Sequence, residues 1–251
     1  MKKEKIEIVR YNKVDENLMK LVDLNKLISK YNGVKLYNHL IYFDSNFPSY
    51  LKKVIEYSQK DYFFTLMLND KLEGFIHFKT INDTLFFNNF CLSENYQGKG
   101  FGKMFLIKSL NLMNLTDFKY LAKDVFMSNQ PAFLWYIKLG LEVTKSTIWK
   151  QLKLENDQTN NIISDEIIFN IDENGFNSLF FQDQKIATII NNSTMLLHDL
   201  TYINQIPLNN YVIITNQDTK LIEKEKFEII NLDRSVRMVC AMNTFLNKLT
   251  N

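Results

Sequence analysis

The sequence is poor in cysteine, histidine, glycine and proline. Its two cysteines, Cys91 and Cys240, are too few for a disulfide framework and are not spaced as metal ligands. The three histidines lie far apart and form no H-x-x-x-H pair, so we predict no metal site. Seven glycines and three prolines exclude a collagen-like chain and one made largely of linker.

The sequence also has no large excess of one charge and no long apolar run. Thirty Lys and Arg against 28 Asp and Glu give a net charge of +2, which is less than proteins that coat nucleic acid or anionic membranes usually carry. No apolar stretch approaches the roughly 20 residues that cross a bilayer, and the N-terminal residues lack the apolar core of a secretory signal. We therefore expect a cytoplasmic globular protein that binds neither nucleic acid nor membrane.

The hydrophobic pattern predicts a mixed α/β domain over residues 1–154. Three antiparallel strands joined by Asn- and Asp-containing turns are its central feature. The full predicted order is a strand (5–12), two helices (15–31 and one opened by Pro48), the three strands (62–68, 72–81 and 85–92), a helix (100–113), a strand (121–127), a short helix (131–139), and two strands or one long bent strand over 141–154.

A polar segment, Glu155–Asn161, predicts a domain boundary, followed by a smaller α+β domain over residues 162–251. Short strands are predicted in it at 167–171, 178–181, 186–190 and 211–215, and residues 235–249 fit either a helix or a strand and a short helix. Tyr211–Gln217 weakly repeats the pattern of Tyr120–Gln130. The second domain is therefore either a truncated, degenerate copy of the first or an unrelated module.

The segment F-C-L-S-E-N-Y-Q-G-K-G-F-G-K, residues 90–103, carries the strongest chemical signal. Glycines between a strand and a helix let backbone N–H groups approach a ligand, and a helix start favours an anion such as pyrophosphate. Lys99 and Lys103 can add positive charge there. The spacing does not fit a P-loop, and a dinucleotide-binding loop would need glycine in place of Lys103.

The spacing Q-x-x-G-x-G, filled by Gln97, Gly100 and Gly102, resembles the signature of the GCN5-related N-acetyltransferase (GNAT) superfamily. A second block, N-Q-P-A-F-L-W-Y-I-K-L-G-L-E from Asn129 to Glu142, resembles the family's N-x-x-A-x-x-x-Y-x-x-x-G-F-x, with Leu141 in place of the usual Phe. The resemblance covers about residues 5–154. It implies a mostly antiparallel, twisted sheet flanked by helices.

The resemblance also implies roles for individual residues. The turn would bind the pyrophosphate of acetyl-CoA through Gln97, Gly98, Lys99, Gly100, Phe101, Gly102 and Lys103, and the strand before it, Asn88–Leu92 with Phe90 and Cys91, would bind pantetheine. Asn129 matches a residue that contacts pantetheine. Tyr136 matches the general acid that protonates the departing thiolate. The strand that often carries a catalytic Glu has none here, so Glu73, His77 or a water chain remain candidates for the base.

We therefore expect an acetyl-CoA-dependent N-acetyltransferase that acts on a primary amine by direct attack on the thioester, without a metal. The acceptor is expected to be a small molecule rather than a protein, and the chain a monomer or a homodimer. Two alternatives stay open. One is a non-catalytic acyl-CoA-binding or regulatory module, and the other is a protein or peptide acetyltransferase that docks through its C-terminal domain.

Overall fold

The computed structural model describes residues 5–30, 36, 39–154, 165–206, 208, 211–222 and 226–250. The chain forms two compact units. Unit 1 comprises Met1–Asn32, Leu51–Ser146 and Ser235–Asn251, and unit 2 comprises Gly33–Tyr50 and Thr147–Arg234. Unit 1 is of the mixed α/β class with a mostly antiparallel sheet, as predicted, whereas unit 2 consists mainly of strands. The division itself differs from the sequence-based one, because residues 235–251 belong to unit 1 and residues 33–50 to unit 2. The predicted boundary, Glu155–Asn161, lies outside the described residues.

The first half of the chain follows the predicted order of elements. They are β1 (Ile6–Arg10), α1 (Leu18–Lys30), α2 (Phe47–Tyr57), β2 (Asp61–Leu68), β3 (Lys71–Ile81), β4 (Thr84–Leu92), α3 (Phe101–Asn111), β5 (Tyr120–Phe126), α4 (Gln130–Lys138) and β6 (Glu142–Leu154). Asn69 and Asp70 both have positive φ in the turn between β2 and β3, a conformation that Asn and Asp tolerate better than most residues. The region over 141–154 is one long strand.

The second half of the chain is built mainly of strands. They are β7 (Ile167–Ile171), β8 (Asn177–Phe181), β9 (Gln184–Ile190), β10 (Thr194–Leu197), β11 (Val212–Thr215) and β12 (Phe227–Ala241), followed by α5 (Met242–Thr250). The strand β10 was not predicted from the sequence. At the C-terminus, the strand-and-helix alternative is confirmed. None of the described helices is long and apolar enough to cross a membrane.

In unit 1 the strand order is β1-β2-β3-β4-β5-β12. The strands β2, β3 and β4 form the predicted antiparallel meander, and β5 runs parallel to β4. Residues Ser235–Ala241 of β12 then pair antiparallel with β5. The strand beside β5 in unit 1 therefore comes from the C-terminal end of the chain, which explains why unit 1 is not a continuous segment.

Unit 2 repeats this order of connections without the long helices. The strands β8, β9 and β10 form a meander, β11 runs parallel to β10, and β6 pairs antiparallel with β11. Where unit 1 has α3 and α4, unit 2 has short 3₁₀ helices at Leu200–Gln205 and Thr219–Leu221. In unit 1, the strand beside β5 is β12, from the second half of the chain. In unit 2, the strand beside β11 is β6, from the first half.

Each unit has its own hydrophobic core. In unit 1 the large rings of Phe64, Phe78, Phe87 and Phe105 are fully buried between the sheet and its helices. Phe245 of α5 is also fully buried in this core. Burial of a Phe side chain is worth roughly 1.5–3 kcal/mol, so α5 is an integral part of unit 1 rather than a tail.

Candidate active site

The glycine turn between β4 and α3 has an open backbone surface. Gly98 (φ +70°) and Gly100 (φ +84°) both adopt left-handed conformations, and a Cβ built on either would meet no atom within 4 Å. L-residues pay a penalty in this region of φ, which accounts for the two glycines. The space beside them is therefore free for a ligand to approach the main chain closely.

The start of α3 offers unpaired backbone donors at the same place. The first hydrogen bond of the helix runs from the Met104 amide to the Gly100 carbonyl, at 3.2 Å. The amides of Phe101, Gly102 and Lys103 precede it and have no acceptor within the helix. Lys99 and Lys103 are both exposed beside them. Helix-start amides and two lysines make this a suitable site for an anionic group.

Gln97 and Gly102 set the geometry of the turn from within. The side-chain amide of Gln97 donates to the Leu92 carbonyl oxygen at 2.8 Å and so ties the turn to the end of β4. A Cβ on Gly102 would lie 3.3 Å from the ring of Phe90, and that ring stacks on Trp135 of α4 at 5.3 Å. Gly102 therefore allows α3 to pack closely on β4.

The parallel strands β4 and β5 separate just before this turn. They pair only at three positions, Thr84–Phe86 with Tyr120–Ala122. Beyond that point β4 stays paired with β3 while β5 pairs with β12. The register of β3 and β4 also shifts, because His77 pairs with Asn89 but Phe78 pairs with Phe87. Asn88 is thus the extra residue of a β-bulge at the point where the two strands separate.

His77 is buried beneath the bulge and holds the side chain of Asn88. Its Nε2 lies 2.6 Å from Asp61 Oδ1, and its Nδ1 lies 2.9 Å from the side-chain amide of Asn88. A carboxylate only accepts, so Nε2 carries the proton and Nδ1 accepts from Asn88. Burial lowers the pKa of His77 despite the neighbouring carboxylate, which keeps the ring neutral. Both ring nitrogens of this candidate base are therefore engaged.

Lys123 of β5 contacts the main chain of Asn88, whereas His77 of β3 contacts its side chain. It is 7% exposed, and its ammonium donates to the Asn88 carbonyl oxygen at 2.5 Å. Its Nζ also lies 5.5 Å from the ring centre of Phe87 and 6.0 Å from that of Tyr136. Burial lowers the pKa of Lys123 to about 7.

Tyr136 and Asn129, the two key residues of the second block, both lie in or beside α4. Tyr136 is buried, and its ring packs edge-on against Phe87 at 5.8 Å. Burial raises the pKa of its hydroxyl. Asn129 caps α4, because its side-chain oxygen accepts from the Ala132 amide at 3.3 Å. This role leaves the side-chain NH₂ group of Asn129 available as a donor.

Neither Glu73 nor the thiol of Cys91 is placed to react at the bulge. Glu73 lies near the start of β3, where its carbonyl accepts from the Ser93 amide. Four residues of strand, about 13 Å, separate it from His77. The thiol of Cys91 is buried, which raises its pKa to about 12, so it stays protonated and is not a nucleophile. Cys91 can contribute its backbone to the predicted site, but not its sulfur.

The sequence placed Asn88 in the pantetheine-binding strand but did not predict the bulge there, and Asp61 and Lys123 were missed as site residues. For Lys123 a signal was present. Leu121, Lys123 and Val125 alternate along β5 and therefore share one face of the strand, and the two apolar neighbours are buried. A lysine at a core position calls for a functional explanation. No pattern in the sequence indicated that Asp61 would pair with His77.

Comparison with known proteins agrees with this fold. Residues 31–141 match the model of the acetyltransferase (GNAT) family. A putative acetyltransferase from Pyrococcus horikoshii is similar in structure, with a TM-score of 0.58 at 11% identity over 96% of this chain and 90% of that one. Spermidine N-acetyltransferase from Vibrio cholerae, solved with CoA and spermine, has a TM-score of 0.50 at 12% identity over 96% of this chain and 98% of that one.

A third similar structure is PaiA N-acetyltransferase from Thermoplasma acidophilum in complex with coenzyme A. Its TM-score is 0.45 at 21% identity, over 56% of this chain and 91% of that chain. No curated protein matches the sequence. The family match confirms the resemblance on which the sequence prediction was based. The match spans residues 31–141, which include the glycine turn, Asn129 and Tyr136.

Proposed function

We propose that unit 1 transfers an acetyl group from acetyl-CoA to a primary amine by direct attack of the amine on the thioester. The observation that carries the proposal is the glycine turn between β4 and α3. Its left-handed Gly98 and Gly100 face open space, and the unpaired amides at the start of α3 follow immediately. These open glycines and helix-start amides provide the donors that a pyrophosphate needs.

The residues of unit 1 fit coenzyme A in three places. The amides of Phe101, Gly102 and Lys103, with the ammonium groups of Lys99 and Lys103, would hold the pyrophosphate. The backbone of β4 over Asn88–Leu92 would bond to pantetheine, because β5 no longer pairs with it there. The free NH₂ group of Asn129 is a further donor beside α4. Coenzyme A supplies an activated acyl group and a thiol leaving group.

The bulge at Asn88 supplies the rigid surface on which the transfer takes place. A backbone N–H of β4 near the bulge is the group that we propose to stabilise the oxyanion. The contacts of Asn88 with His77 and Lys123 hold that backbone still. Tyr136 is proposed to donate a hydrogen bond to the sulfur. Because both nitrogens of His77 are engaged, a water chain is the better candidate for removing the proton from the acceptor amine.

Unit 2 has no counterpart of the glycine turn. Among its described residues, the link between the parallel strands β10 and β11 forms a short 3₁₀ helix, and the sequence has no glycine at residues 198–211. We propose that unit 2 is a degenerate copy of unit 1 that does not bind CoA. Its repeated order of connections supports this proposal.

A thiol-release screen tests the proposed reaction. The protein is incubated with acetyl-CoA and with amino sugars, polyamines, amino acids or peptides, and free CoA is measured. Acceptor-dependent release, with a Tyr136→Phe variant that binds acetyl-CoA normally but turns over more slowly, supports the proposal. Binding of acetyl-CoA with no release for any amine would favour the regulatory module instead. Activity confined to peptides would favour the protein-modifying alternative.

A further inference from the structure

Lys123 is a buried cation without a carboxylate partner. Among the described residues its one hydrogen bond goes to the Asn88 carbonyl oxygen, and no described acid forms an ion pair with it. A protein rarely buries a lysine in this way, because removing an ammonium from water is costly unless a counter-charge is present. A methionine would fill the same space without that cost, so the retained amine calls for a chemical explanation.

The charged and titratable groups around Lys123 are few. Asp124 follows it on β5, but that carboxylate is exposed and pairs with Arg237 of β12. His77 of β3, neutral and bonded to Asp61 of β2, lies on the far side of the bulge. Tyr136 of α4 presents its ring to the amine. The charge of Asp124 raises the pKa of Lys123, but burial lowers it by more, and no described acid forms an ion pair with Lys123.

The amine lies against the part of β4 that, under the proposed function, binds pantetheine next to the thioester. It contacts the bulge residue of β4 at the point where β4 and β5 separate, and it faces the ring of Tyr136, the predicted proton donor. We infer that Lys123 is a catalytic residue that, as the ammonium, protonates the departing thiolate, while Tyr136 only donates a hydrogen bond. This inference rests on the proposed function.

Proton affinities decide between the candidate donors. A thiolate of ordinary basicity has a pKa of roughly 8.5. The pKa of Lys123, about 7, makes transfer of its proton to that thiolate favourable. Burial raises the pKa of Tyr136 above its ordinary value of about 10, so transfer from its hydroxyl is unfavourable. Lys123 is also a poor base for the acceptor, because an alkylammonium holds its proton with a pKa of roughly 10.

Two protons move during the proposed transfer. The acceptor nitrogen bonds to the carbonyl carbon, the C–S bond breaks, and its electron pair stays on sulfur. A proton passes from Lys123 to the sulfur and leaves a neutral amine. The proton that the acceptor nitrogen loses on becoming an amide returns, through water, to Lys123. The products are the amide and free thiol, with Lys123 again in its starting state.

Three variants and two acyl donors test the inference. Lys123→Met removes the proton but keeps the length of the side chain. Lys123→Arg keeps a charge that can bond to the Asn88 carbonyl but does not give up its proton. Lys119→Met, at the exposed lysine just before β5, is the matched control. The donors are acetyl-CoA and an acetyl thioester of a thiophenol, whose thiolate leaves without needing a proton.

We expect Lys123→Met and Lys123→Arg to lose about 10²–10⁴-fold in kcat with acetyl-CoA. With the aryl thioester both should keep kcat/KM within about threefold of the parent protein. Equal losses with the two donors, or rescue by Lys123→Arg, would show that Lys123 only positions the bulge and would overturn the inference. Lys119→Met should behave as the parent protein throughout.

A readout without any acyl donor separates this inference from the proposed function. In protein labelled with [ε-¹³C]lysine, the resonance missing from Lys123→Met identifies Lys123. We expect it to titrate with a midpoint near pH 7; a midpoint above pH 9 would contradict the inference. If the parent protein is inactive with every amine but Lys123 still titrates near pH 7, the proposed function fails. The lowered pKa of Lys123 is then still established.

Discussion

The side-chain amide of Asn88 donates a hydrogen bond to Nδ1 of His77, at 2.9 Å, across the bulge between β4 and β3. On its other side the Asn88 carbonyl accepts from Lys123. The bulge residue is therefore held by its side chain and by its main chain at once. A bulge that is fixed in this way can present neighbouring backbone groups to a ligand in one defined orientation.

Burial of neutral His77 should make the free energy of unfolding fall at acidic pH. Its folded-state pKa is lowered, so the unfolded chain takes up a proton near pH 6.5 while the folded protein does not. Stability therefore falls as the pH drops below about 6.5. In urea unfolding between pH 5 and 7, His77→Gln should show a smaller fall than the parent protein. If the free energy of unfolding falls equally with pH in both proteins, His77 is not buried as a neutral ring.

Lys123 should destabilise the protein at neutral and acidic pH. Its folded-state pKa of about 7 is below the usual value, so the cost of burying the ammonium is fully present below pH 7 and is lost as the pH rises toward 10.5. We expect Lys123→Met to be more stable by roughly 3–5 kcal/mol at pH 6, with a gap that narrows toward pH 9. Denaturant unfolding at both pH values measures this; an equal or lower stability at pH 6 would contradict it.

Helix α5 should be required for the stability of unit 1. Phe245 is fully buried in the core of that unit, so Phe245→Ala should cost roughly 3–5 kcal/mol. Thr244→Ala, at the exposed neighbouring position, should change stability by less than about 0.5 kcal/mol. Thermal unfolding of the two variants distinguishes them. Similar small losses in both would argue that residues 235–251 are dispensable to unit 1.

Lys99 and Lys103 should contribute to CoA affinity through charge. Lys99→Met and Lys103→Met should each weaken binding about three- to tenfold at low salt, with less effect at high salt, because exposed charges are screened. Lys108→Met, at an exposed position near the other end of α3, is the control and should bind normally. If the three variants bind alike, the phosphates are not held at this turn.

Most of unit 1 could be predicted because its local signals agree with one another. Short apolar runs predicted β2 to β4, and the Asn- and Asp-containing turns between them predicted the meander. The glycine cluster and the Asn129–Glu142 block identified the family. β10 was missed because four residues, T-M-L-L, carry too little periodicity to define a strand.

The exchange of strands between the two halves could not be predicted locally. Whether β12 pairs with β5 depends on partners more than a hundred residues away, and the sequence of a strand does not name its neighbour. The same applies to the site. His77 was a candidate base on the sequence, but its partners Asp61 and Asn88 come from other strands, and they occupy both of its nitrogens. The cost of burying Lys123 likewise depends on groups from β4 and α4.

The most direct test of the account is calorimetry with acetyl-CoA on a matched pair of glycine variants. Gly100 and Gly175 have φ of +84° and +90°, and a Cβ on either meets no atom within 4 Å. Alanine should therefore impose a similar strain, about 1–2 kcal/mol, at both positions. We predict that the parent protein and Gly175→Ala bind acetyl-CoA alike, and that Gly100→Ala binds at least tenfold more weakly. Equal affinity in all three, or no binding by the folded parent protein at millimolar ligand, would contradict it.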